Sequence, residues 1–354
     1  MAAALYAARA GLAPLVIAPS MGGQLQGKGV DVENYPGLAN QTGPALVAAM
    51  RHQAAHYGAM FEDDVVTTID ASERPYKLLT NRTGLIQTHT VVVATGADAN
   101  WLQIPGEFEL RGGGVSSCAT CDGFLYSGKD VVVVGGGDGA MEEALVLART
   151  SRKVTVIHRR DTFRASKVLA DRVLAHPSIN VLWNSTVHEV LGKTPDAPGD
   201  ENVDLDTLQP VVVAVRVRDL NSGEERNVPC DAMFVSIGHT PNTDYLQGVV
   251  EFDPNHPGYV LTFGGSTHTS ASGIFAAGDV ADSVYRQAIT SAGSGAAAAL
   301  DVERYLSEHG LGNEAADLEA ELMAELMSDT TGSSSSYNAY EDAGGRGGGV
   351  KETL

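Results

Sequence analysis

The chain has 354 residues, of which 43% are hydrophobic and 40 are glycine, which fits a globular α/β protein of about two domains and excludes a disordered or fibrous one. Its 24 basic residues face 44 acidic ones, a formal charge of −20, which argues against non-specific nucleic-acid binding. No apolar run is long enough to span a bilayer, and three cysteines are too few for a secreted disulfide framework, so a reducing, cytoplasmic setting is expected.

At the N-terminus "MAAALYAARAGLAPLVIAPS" lacks the basic leader of a signal peptide. Residues 2 to 10 read as an alanine-rich helix stopped by Gly11, and "APLVIA" as a buried strand. "TGPALVAAMRHQAAHYGA" reads as an amphipathic helix with Thr42 near its N-cap. A strand "HTVVVATGA" follows at residues 89 to 97.

A second α/β unit opens at residues 129 to 150, where "KDVVVVGGGDGAMEEALVLART" runs from an apolar strand through a glycine turn into a helix. "RKVTVIHRR" then completes a βαβ unit. Later "DAMFVSIGHTPNT" repeats the design of "HTVVVATGADAN", an apolar strand ending at glycine, which hints at two related nucleotide-binding domains. "GIFAAGDVADSVYRQAITSAGSGAAAALDVERYL" closes the folded part. From about residue 311 the pattern fades into a frayed helix and a tail expected to be disordered.

Three motifs carry chemistry. Gly135, Gly137 and Ala140 fit G-x-G-x-x-G/A, in which residues without side chains let backbone N–H groups approach a pyrophosphate at a helix N-terminus. The next strand ends not in an acid but in His158, Arg159 and Arg160, with Arg164 beyond. Such cations suit the extra 2′-phosphate of NADP, although a solvated basic face is the plain alternative. The third is "SSCATCDGF", residues 116 to 124. Zinc needs four ligands, and the remaining cysteine, Cys230, sits in an apolar context that suits a buried core residue. A disulfide closing so short a loop adds little chain entropy. Cys118, Cys121 and the adjacent Asp122 instead supply the two thiols and proton donor of a redox dithiol.

In "SSCATCDG", "VVVVGGGDGAMEEA", "IHRRDTFRASK" and "GIFAAGDVADSVYRQAITSAGSG", taken in that order, the sequence closely resembles the low-molecular-weight thioredoxin reductases, from residue 2 to about 308. The resemblance implies an α/β flavoprotein of two doubly wound dinucleotide-binding domains. The NADPH domain, residues 109–240, would be inserted into an FAD domain made of residues 1–108 and 241–310. Electrons would pass from NADPH through FAD and the CxxC disulfide to thioredoxin or a thioredoxin-like partner, in a homodimer. By the same resemblance Cys121 is the thiol nearest the flavin, Cys118 attacks the partner and Asp122 moves the proton. FAD falls to Gly23, Gln24, Leu25, Asn34, Val66, Asp279, Arg286, Gln287 and Ala288. NADPH falls to Gly135, Gly137, Asp138, His158, Arg159, Arg160 and Arg164. Read alone, Asp279 is equally a turn residue, Asp138 a helix cap and His158 a packed strand end.

Set against that family, the first strand and its glycine turn would lie before Met1, so the chain reads as N-terminally incomplete. The loss is expected to expose apolar faces on both neighbouring strands. Gly27 and Gly29 stand where threonines are more usual. Competing readings are a flavoprotein dithiol donor to another carrier or a peroxiredoxin, and a truncated NADPH-binding protein without turnover.

Overall fold

The computed structural model describes residues 1–20, 23–27, 30–38, 41–194 and 209–311. Gly29 and the tail expected to be disordered, from residue 312 on, lie outside the described residues. Residues Met1–Leu306 form one compact unit.

The chain opens with α1 (Ala2–Arg9), Gly11 at φ 79° and β1 (Leu15–Ile17). The short β2 (Asp31–Val32) and β3 (Gln41–Thr42) pair just before α2 (Gly43–His56), where Thr42 Oγ1 accepts from Ala45 N at 3.3 Å, the cap expected of threonine. β1 lies parallel to β4 (Met60–Glu62). An antiparallel meander, β5 (Val66–Asp70), β6 (Tyr76–Thr80) and β7 (Leu85–Thr88), then leads to β8 (Val91–Val93) and β9 (Ala97–Ala99).

Next come β10 (Val115–Ser116), α3 (Ala119–Asp122), β11 (Asp130–Gly135), α4 (Asp138–Leu147), β12 (Lys153–Ile157), α5 (Lys167–Leu174) and β13 (Ile179–Leu182). A second antiparallel set, β14 (Ser185–Lys193), β15 (Val211–Asp219) and β16 (Glu225–Pro229), precedes β17 (Ala232–Ser236) and β18 (His239–Pro241). β19 (Ile274–Ala276) and α6 (Ala288–Glu308) complete the chain.

The βαβ unit read from the sequence lies in a five-stranded parallel sheet of order β10-β17-β11-β12-β13. Its apolar strands are buried on both faces, as a parallel sheet between covering layers requires. Ala140, Met141, Ala144 and Leu147 of α4 are at most 1% exposed against Val131, Val133 and Phe234, each large side chain contributing about 1.5–3 kcal/mol.

β8 pairs with β19 in parallel across nearly the whole of that sheet's sequence, and β9 pairs with β18 beside them. One dinucleotide-type unit is therefore inserted within another. "HTVVVATGA" is divided in two, its first half in one unit's sheet and its last in this crossing pair. The residues of β1 are half-buried, as are Val91 and Val92 of β8, while Val93 is buried. Ile274, Phe275 and Ala276 are buried, because residues 267–269 cover the free edge of β19: Ala276 N donates to Thr267 O at 2.9 Å, and Thr269 N to Ile274 O at 3.2 Å. Among the described residues no helix is long and apolar enough to cross a membrane.

Candidate active site

Cys118 and Cys121 are joined as a disulfide with Cα atoms 5.3 Å apart. β10 delivers the chain to Cys118, the N-cap of α3, whose Sγ accepts from Cys121 N at 3.1 Å. Ser116, which the sequence reading passed over, organises the turn. Its Oγ accepts from Cys118 N at 3.0 Å and donates to Asp122 Oδ2 at 2.5 Å. Burial pushes the Asp122 carboxyl above its ordinary range; the Ser116 hydrogen bond opposes this, and the charges of Asp31 and Glu33 add to it. Cys230 is buried, its thiol pushed up to about 12, mainly by burial, and takes no part in this cluster.

The segment before α6 reaches the same place from the other unit. Gln287 Oε1 lies 3.9 Å from Cys121 Sγ, and Gln287 Nε2 lies 4.0 Å from Cys118 Sγ. Asn34 Nδ2 donates to Gln287 Oε1 at 3.1 Å. Two residues 253 positions apart, both expected at a flavin, therefore meet at the disulfide. Asp282, another residue the sequence reading missed, fixes this segment: its carboxylate accepts from the backbone N–H of Val284, Tyr285 and Arg286 at 2.9, 2.8 and 3.0 Å. The signal was present as an aspartate two residues ahead of the donating N–H, the pattern of an Asx turn. Held this way, Arg286 adopts φ 47°, unusual for a residue with a side chain.

Asp279, one strand end away, accepts from Ser291 Oγ at 2.7 Å; burial raises its carboxyl, which is half-buried after β19. Ala288 opens α6. Gly23, at φ 74°, starts the short turn Gln24–Gln26, where the Gln24 amide donates to Ala97 O. Leu25 lies under α2 so closely that a Cβ on Gly43 would stand 1.8 Å from Leu25 O. Val66 sits apart from these polar groups: its backbone pairs with Thr80, and its side chain packs on the core that contains Val280.

The glycine turn after β11 is built for close approach. A Cβ on Gly136 would stand 2.1 Å from the His158 ring, and Gly137 leads directly into α4. His158 is 8% exposed, and its Nε2 is 3.0 Å from Thr162 O. Burial lowers its tendency to protonate, and it lies beneath the turn. Asp138 caps neither its own helix nor a cation; its Oδ1 accepts from Ser166 N at 2.6 Å, at the start of α5. Arg159, Arg160 and Arg164 are exposed, and among the described residues no carboxylate pairs with them. Three unpaired guanidinium groups beside a glycine turn, in so acidic a chain, fit a phosphate-bearing dinucleotide.

Residues 1–295 match the family described as pyridine nucleotide-disulphide oxidoreductase. A thioredoxin reductase of Rickettsia felis is 44% identical over 310 residues, 87% of this chain and 95% of the relative. A bifunctional thioredoxin reductase/thioredoxin of Mycobacterium leprae is 44% identical over 97% of this chain, which spans 71% of that protein. Among solved structures, a thioredoxin reductase from Giardia duodenalis superposes with a TM-score of 0.77 at 37% identity, over 86% of this chain and 94% of that one. The chain belongs to the pyridine nucleotide-disulphide oxidoreductases, and within them to the low-molecular-weight thioredoxin reductase type.

Proposed function

We propose that this enzyme reduces the disulfide of a thioredoxin with electrons from NADPH, through the Cys118–Cys121 pair. The observation that carries this reading is the disulfide itself, next in sequence to the Asp122 carboxyl and 3.9 and 4.0 Å from the Gln287 amide. Thioredoxin reductases are FAD-containing, NADPH-dependent enzymes, and the two groups, when bound, supply the electron pair that opens the disulfide.

The unit at residues 109–240 holds NADPH, with Gly135 and Gly137 admitting the pyrophosphate and Arg159, Arg160 and Arg164 gripping the 2′-phosphate. His158 supports the turn from below, and Asp138 ties it to α5. The segments 1–108 and 241–310 hold FAD through Gly23, Gln24, Leu25, Asn34, Val66, Asp279, Arg286, Gln287 and Ala288. The reduced Cys118 thiolate attacks one sulfur of the partner's disulfide, and the other sulfur leaves as a thiol, taking the proton held at Asp122. Cys121 then displaces the partner's remaining sulfur and restores the internal disulfide. We place the enzyme in the cytoplasm, as a two-fold dimer.

The direct test is NADPH oxidation by FAD-loaded protein with purified thioredoxin, set beside a glutaredoxin and a peroxiredoxin. Turnover is expected with thioredoxin. Turnover only with another carrier would transfer the partner assignment to that carrier.

Asp122→Asn keeps the shape and Ser116 contact but removes the proton, so thioredoxin reduction is expected to slow by about 10²-fold. Because burial raises the Asp122 carboxyl, the acid form persists above the ordinary carboxylate range and is lost as pH rises. The wild-type rate should therefore fall on the alkaline side, a limb absent from Asp122→Asn; stopped-flow traces at several pH values decide it.

Arg159→Ala or Arg160→Ala should each weaken NADPH binding by about 1–3 kcal/mol, the loss of a charge-assisted phosphate contact, and leave NADH binding unchanged. Titrating both nucleotides by calorimetry measures this. An unaltered preference for NADPH would return those arginines to a solvated surface.

A further inference from the structure

On α4, behind the dithiol, Glu143 is a charged side chain with no task in the reaction described. Its Oε1 faces Ala119 N at 3.5 Å, one peptide bond from Cys118. Its Oε2 is shut off from solvent and accepts no hydrogen bond among the described residues. A buried carboxylate with one oxygen unpaired is costly in its charged form and stable in its neutral one.

We infer that Glu143 is a positioning residue that takes up a proton when Cys118 becomes a thiolate, so that its charge state sets how readily that nucleophile forms. The inference rests on the assignment of Cys118 and Cys121 as the redox pair. Two electrons and two protons added to the disulfide and the Glu143 carboxylate give a thiol at Cys121, a thiolate at Cys118 and a carboxylic acid at Glu143. Charge is conserved, the electrons come from NADPH, and the protons from NADPH and water. Without the uptake at Glu143, two negative charges would share a desolvated corner, where their repulsion is much stronger than in water.

The surroundings support a carboxyl close to its titration point at neutral pH. Burial pushes Glu143 up to about 7, against the pull of the Ala119 N–H, the Ser236 hydroxyl and the Arg286 guanidinium, while Glu142 on the same helix adds to the rise. On α3 the ionisable side chains are Cys118, Cys121 and Asp122, and Asp122 is turned to Ser116. Arg286, from the segment before α6, is the cation that limits the shift. Glu143 thus joins the nucleotide-side helix, the dithiol turn and the flavin-side segment.

The test is the pH dependence of Cys118 alkylation by iodoacetamide in reduced, FAD-loaded protein, the modified sulfur being assigned by fragment mass spectrometry. Wild type is expected to show a broad rise with two inflections, as for two coupled sites. Glu143→Gln should show a single inflection at lower pH and alkylate roughly tenfold faster at pH 7, a one-unit change in thiol ionisation. Superimposable profiles overturn the inference.

If Glu143→Gln does not fold, the infrared difference spectrum of Asp122→Asn on reduction decides instead. There Glu143 is the buried carboxyl left beside the dithiol. A new protonated-carboxyl band supports the inference, and its absence overturns it. Failure of wild type to reduce thioredoxin with NADPH overturns the parent reading instead.

Discussion

Cys118→Ser is expected to abolish reduction of the protein partner while leaving reduction of bound flavin by NADPH intact, and Cys121→Ser is expected to halt the cycle differently. The two cysteines are half-buried alike, so exposure does not distinguish them; the roles proposed for them do. With Cys118 gone, no thiolate is placed to attack the partner, and serine is too weak a nucleophile to substitute. With Cys121 gone, Cys118 still attacks, but no second thiol is present to resolve the bond. A mixed disulfide should then accumulate, visible as a covalent adduct of enzyme and thioredoxin on a non-reducing gel. Neither substitution touches the glycine turn or Arg159, Arg160 and Arg164, so stopped-flow reduction of the flavin should proceed in both variants. An adduct in Cys118→Ser and none in Cys121→Ser would exchange the two roles. Loss of flavin reduction in either would show that the cysteine also supports the cofactor sites.

What could be read from the sequence follows from how local each signal is. The βαβ unit was legible because Val131–Val134 form an uninterrupted apolar run and α4 follows directly on its glycine turn. The CxxC pair was legible because both partners lie within four residues. The meanders β5–β7 and β14–β16 were not foreseen. The strands of the first meander are short and carry exposed polar positions, as in Val66–Asp70, where a single residue is buried, so alternation is weak there. Glu143 escaped for another reason. A glutamate on a helix reads as solvent-facing until the fold places Ala119, 24 residues earlier, against it. Likewise the Asn34–Gln287 contact joins residues 253 positions apart, which the intervening unit separates in sequence. Periodicity and motif spacing report neighbours along the chain; Glu143 and Ala119, like Asn34 and Gln287, are brought together by the fold.

Gly135→Ala should be among the most damaging single methyl additions in the protein, and Gly139→Ala, in the same motif, should be harmless. A Cβ at Gly135 would lie 2.2 Å from Ser236 O and 2.6 Å from the Ala140 Cβ. The first of these atoms belongs to the backbone of β17, hydrogen-bonded in the centre of the parallel sheet, and the second to the buried face of α4. Neither can swing aside as a flexible side-chain end would, so α4 must part from the sheet, at a cost of about 3 kcal/mol or more. That is a large share of a domain's stability of about 5–15 kcal/mol, and the displaced helix start would also withdraw the N–H groups offered to the dinucleotide. At Gly139 the nearest atom to an added Cβ is Ser236 Oγ at 3.7 Å, an ordinary contact. Because alanine loses less backbone entropy in a helix, Gly139→Ala should be neutral or stabilising by up to about 1 kcal/mol. Urea denaturation and NADPH titration of both variants measure the contrast. Equal stability would mean that β11 and α4 have room the packing does not show, and that Gly135 is required only for its approach to the phosphate.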